Sequence, residues 1–62
     1  MPMTPKEMIA LLEQNGFIQI RANGSHRYLT NPKTKKSTTV PFHSKELKKG
    51  TESTILKQVG LK

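Results

Sequence analysis

Sixty-two residues without a cysteine leave room for one domain, spanning 1–62, with a thin core, and exclude a disulfide framework or a thiolate metal site. Eleven Lys or Arg against four Glu give a net charge of +7, a field that favours a polyanionic partner. With no apolar run long enough to span a bilayer, no apolar signal core in MPMTPKE and no basic helix face with aromatic anchors, a cytoplasmic protein that avoids membranes is expected.

In chain order, Thr4-Pro5-Lys6-Glu7 reads as an N-cap, a proline at the first helical position and a capping-box glutamate at the third. Met8, Ile9, Leu11 and Leu12 then form an apolar stripe, and Asn15-Gly16 ends the helix with a glycine suited to the left-handed C′ position. In FIQIRA, Ile18, Ile20 and Ala22 alternate with Gln19 and Arg21 as in a half-buried strand. Asn23-Gly24 signals a hairpin, Ser25 to Thr30 the return strand, Asn31-Pro32-Lys33-Thr34 a second turn, and Lys36 to Val40 a third strand closed by Pro41.

FHSKELKKG reads as a polar connector with a helical turn around Lys45 to Leu47. Thr51 is expected to cap a last helix whose Ile55, Leu56 and Val59 share a face and which Gly60 stops. The fold class is α+β, in the order α-β-β-β-α: a three-stranded antiparallel sheet with two helices on one face and the other face open. The first helix, Ile18 and Ile20 are expected to supply most of the core.

The stretch ANGSHRYL carries the first candidate for chemistry. His26 follows a Gly-Ser corner at the mouth of a strand, where a ligand can reach it, and an imidazole suits proton transfer near neutrality. Gly24 lets the backbone approach a ligand closely, and Ser25 adds a hydroxyl and an amide able to hold a phosphate. His43, in VPFHS, is an auxiliary candidate: close to His26, it would allow acid and base duties to be divided. Lys33, Lys35 and Lys36 cluster in the second turn, and Lys45, Lys48 and Lys49 in the connector. Together with Arg27 they form a basic set that would hold a phosphate backbone through salt-sensitive contacts.

Phe17, Tyr28 and Phe42 do not make the paired-aromatic platform that stacks single-stranded bases. The scattered histidines and glutamates have no metal-ligand spacing, so neither a metal nor another cofactor is expected. One imidazole among cations is poorly equipped against a peptide or a phosphomonoester. RNA is different, because its own 2′-OH supplies the nucleophile. The protein need only move protons and stabilise the phosphorane, worth about 10²–10⁴-fold for acid–base catalysis alone. DNA lacks that hydroxyl and would not be cut.

The NGSHRY corner, the later VPFHS and the ending GTESTILKQVGL, behind a capped helix that closes on Gly16-Phe17, resemble the HicA family of mRNA interferase toxins over essentially the whole chain. The resemblance implies a fold like that of double-stranded RNA-binding domains and metal-independent cleavage of RNA, chiefly mRNA. It assigns the active histidine to His26. It also implies a HicB-type antitoxin that covers the active surface, and an acidic one would be met quickly by a chain this basic. Two positions depart from the family pattern: Asn23 stands where many relatives have Lys or Arg, and Glu52 where an apolar residue is usual. The alternatives are a non-catalytic module that recognises RNA shape through its basic face, and a domain that only binds an acidic protein.

Overall fold

The computed structural model describes residues 3–43 and 45–61; Met1, Pro2, Ser44 and Lys62 lie outside that description. The elements are α1 (Pro5–Gln14), β1 (Ile18–Asn23), β2 (His26–Asn31), β3 (Lys36–Pro41) and α2 (Lys49–Gln58), the α-β-β-β-α order expected. The strands form one antiparallel sheet in the order β1-β2-β3.

Local chemistry sets the ends of α1. The Thr4 hydroxyl accepts from the Glu7 N–H at 3.1 Å, and the Glu7 carboxylate accepts from the Thr4 N–H at 2.9 Å, a complete capping box before Pro5. At the other end Gly16 takes a φ of +91°, and the Phe17 N–H turns back to the Leu12 carbonyl at 3.0 Å. This Schellman closure drops Phe17 onto the core. The same closure ends α2, where Gly60 has a φ of +79° and Leu61 N–H reaches the Leu56 carbonyl.

Both helices cover one face of the sheet. Directly paired residues share a face, and the register sets Leu29 against Thr38 and Arg27 against Val40. Leu29, Thr38 and Val40 are buried on that side. They pack with Met8, Ile9 and Leu12 of α1, with Phe17 and Leu47, and with Ile55 and Val59 from α2 and its end. Asn31 is the buried polar tie on this face. Its Nδ2 donates to the Asn15 carbonyl at 3.1 Å, and its Oδ1 accepts from Lys33 N–H at 2.9 Å, joining the end of α1 to the β2–β3 turn.

Four expectations are corrected. Ile18 and Ile20 are 52% and 56% exposed and add nothing to the core. Phe17 takes the place assigned to them, and Ile18 pairs with Thr30 on the uncovered face. The pairing slips between Gln19 and Arg21, leaving Ile20 as the extra residue of a bulge. The β1–β2 loop is Gly24-Ser25 rather than Asn23-Gly24, because Asn23 pairs with His26; a positive φ of 59° at Gly24, without one at Ser25, is the type II′ pattern.

The connector forms no helical turn at Lys45–Leu47, and α2 begins at Lys49 rather than after Thr51. Lys48 is its N-cap without a side-chain bond. What fixes this start is tertiary: Leu47 N–H donates to the Met3 carbonyl at 2.8 Å, and Met3 N–H donates to the Glu52 carboxylate at 3.3 Å. Glu52, the departure from the family pattern, thus joins the two ends of the fold.

Candidate functional site

The Gly24-Ser25 turn lifts His26 to the rim of the uncovered sheet face. His26 begins β2, pairs with Asn23 on one side and Pro41 on the other, and is exposed. The Ser25 carbonyl accepts from the Phe42 N–H, which ties the residue after β3 to the turn. A proline opposite His26 suits an edge strand, which needs no inward donor there.

An open groove of about 580 Å³ starts at His26 on the uncovered face and runs round the β3 edge to α2, which lies on the covered side, so that Leu29, Thr38 and Ile55 also border it. Ile20, Tyr28, Thr39 and Pro41 line it from the sheet, and Thr51, Thr54 and Gln58 from the helix. The helix runs antiparallel to β3: Thr51 stands at the His26 end, and the Gln58 side-chain Oε1 accepts from the Thr38 hydroxyl at 2.7 Å at the other. Tyr28 shares the face of His26 by the strand's period of two, half-buried, with the Arg21 guanidinium 5.0 Å from its ring centroid.

The structure separates the basic residues. Arg27 lies on the opposite face of β2 from His26, stacked 4.5 Å over the Phe42 ring, and its Nη1 donates to the Gly24 carbonyl at 3.1 Å. It braces the turn that carries Ser25 and His26. Lys48 and Lys49 open α2, whose Thr51 lines the His26 groove, so they flank that end; Lys45 is exposed in the connector before them. Lys33 and Lys35 are exposed beyond the far end of β2, roughly 17 Å away at the usual strand rise. Lys36 leans toward the end of α2: a Cβ on Gly60 would lie 3.1 Å from its Nζ, where an ammonium complements the helix dipole.

His43 is exposed and lines a different depression, with Thr4, Pro5, Lys6 and Phe42, rather than the groove of His26. Among the described residues no three His, Asp or Glu side chains converge as metal ligands would. The α2 side of the groove was not anticipated from the sequence. Thr51, Thr54 and Gln58 come from a segment at least 25 residues after His26, and only the strand order and helix direction bring them there.

The sequence falls into a toxin class. Residues 5–61 match the family model described as HicA toxin of bacterial toxin-antitoxin. The chain belongs to this HicA toxin family, and as the toxin of such a pair it has an antitoxin as its partner. No curated protein matches it.

Proposed function

We propose that residues 1–62 form one toxin domain that acts in the cytoplasm as a metal-independent endoribonuclease, an mRNA interferase. The observation that carries the reading is the exposed His26 imidazole, set at the open end of a groove directly after the Gly24-Ser25 turn. In the reaction, the ribose O2′ attacks the neighbouring phosphorus while His26 accepts its proton. The phosphorane then collapses, the bond to O5′ breaks, and the imidazolium returns a proton to that oxygen. The products are a 2′,3′-cyclic phosphate and a 5′-hydroxyl.

Ser25 offers its hydroxyl and amide to the reacting phosphate. Lys45, Lys48 and Lys49 hold the backbone at the His26 end, and Lys33, Lys35 and Lys36 extend the positive field along the molecule. An acidic HicB-type antitoxin that covered this end would block the reaction and meet the +7 chain with steered association.

The test is incubation of purified protein with labelled RNA in EDTA, wild type beside His26→Ala. New ends bearing a 2′,3′-cyclic phosphate from the wild type, and a loss of about 10²-fold or more in the variant, are expected. Equal cleavage by the variant overturns the role of His26. RNA that is retarded but intact with the wild type selects the non-catalytic RNA-binding module instead.

A further inference from the structure

The groove beside His26 differs in chemistry from the rest of the surface. The chain carries +7, yet among the described residues no Lys, Arg or Glu lines this groove; beside the His26 imidazole its walls are hydroxyls, an amide, a tyrosine ring and the apolar surfaces of Ile20, Leu29, Pro41 and Ile55. A trough built to follow phosphates would hold cations. A mixed apolar and hydrogen-bonding lining of this kind suits a nucleobase and its ribose. We propose that the groove is a base subsite for an unpaired RNA nucleotide next to the scissile phosphate, with the base stacked on Tyr28 and Thr51, Thr54 and Gln58 bonding to its edge or sugar.

The placement of Tyr28 favours single-stranded RNA. Tyr28 lies two residues from His26 on the same face, about 7 Å along the strand, comparable with one step of an extended nucleotide chain. A base in a duplex is already stacked on both sides and has no free face for the ring. The Arg21 guanidinium lies against the ring while Tyr28 also borders the groove, so a base there would extend an Arg–Tyr stack. The helix presents polar groups over about 10 Å from Thr51 to Gln58. The Thr54 hydroxyl already donates to the Gly50 carbonyl and the Gln58 Oε1 already accepts from Thr38, which leaves the Thr54 lone pair, the Gln58 amide N–H groups and the Thr51 hydroxyl for a base edge or sugar. This inference rests on the reading that the protein takes RNA, and it adds where the selectivity for a base resides.

The chain has one tyrosine and no tryptophan, so its intrinsic fluorescence reports on Tyr28 alone. The experiment titrates His26→Ala protein with a six-residue oligoadenylate, following tyrosine emission and, in parallel, retention of labelled RNA on a filter. Saturable quenching that coincides with retention is expected, because stacking brings the base onto the ring. Thr54→Glu changes an exposed helix position and places a carboxylate in the groove. It should weaken the quenching binding at least about fivefold, the lower end of what one stacked base contributes. Gln14→Glu makes the same charge change on α1, outside the groove, and should not.

In wild-type background, Tyr28→Leu should raise KM and flatten the preference among cleavage sites, and Tyr28→Phe should restore both. Circular dichroism confirms that each variant is folded. RNA retained without quenching overturns the subsite and leaves the RNA reading standing, as does equal weakening by Thr54→Glu and Gln14→Glu. No retention at all overturns both. Quenching without any cleavage by the wild type supports the subsite in a protein that only binds.

Discussion

The two faces of β2 are made by alternate residues of one six-residue strand, and they behave as different materials. On the covered face Leu29 and Asn31 are fully engaged, one by apolar side chains from both helices and the other by hydrogen bonds to α1 and to its own turn. On the uncovered face His26 and Tyr28 look onto a groove, and nothing in the folded core depends on the imidazole. An exposed residue on which the described core does not lean is free to be chosen for something other than architecture.

Substitutions on the two faces should therefore part company. Leu29→Ala removes a fully buried side chain and is expected to cost about 2–5 kcal/mol, enough to unfold much of so small a domain in urea titrations at 25 °C. His26→Ala, three positions earlier, should leave the urea midpoint essentially in place while cleavage is lost. A large fall in that midpoint would erase the distinction between the faces. Asn31→Ala strips three bonds from a buried site and should cost about 1–3 kcal/mol by the same measurement. Thr4→Ala, which removes one half of the capping box, is expected to cost about 1 kcal/mol. Ile18→Thr, on the bare face of β1, should change stability by less than about 0.5 kcal/mol; a cost like that of Leu29→Ala would mean the face is covered in solution.

What could be read from the sequence divides along the same line. The capping box at Thr4, the glycine closures at Gly16 and Gly60 and the strand order are local, written within four or five neighbouring residues, and the structure keeps them. His26 stands at the rim as its Gly-Ser corner implies. Alternation in FIQIRA, by contrast, states which residues share a face but not which face the helices will cover. Ile18 and Ile20 were therefore assigned to the core that Phe17 actually enters. The start of α2 escaped for a related reason. It is fixed by Met3, whose N–H meets Glu52 across a separation of 49 residues, a contact no local pattern contains. The stacking of Arg27 over Phe42 likewise depends on a register that no local pattern states.

The bulge at Ile20 has a consequence for how copies of this protein meet. β1 is a free edge with two exposed isoleucines, the kind of strand on which another chain could add itself by backbone bonding. An extra residue in mid-strand breaks the regular run of donors and acceptors and increases the local twist, while Arg21 beside it adds charge. A second molecule laid along that edge would find its ladder out of step after one or two rungs. The bulge therefore works against strand addition along a margin where two isoleucines stand in the open.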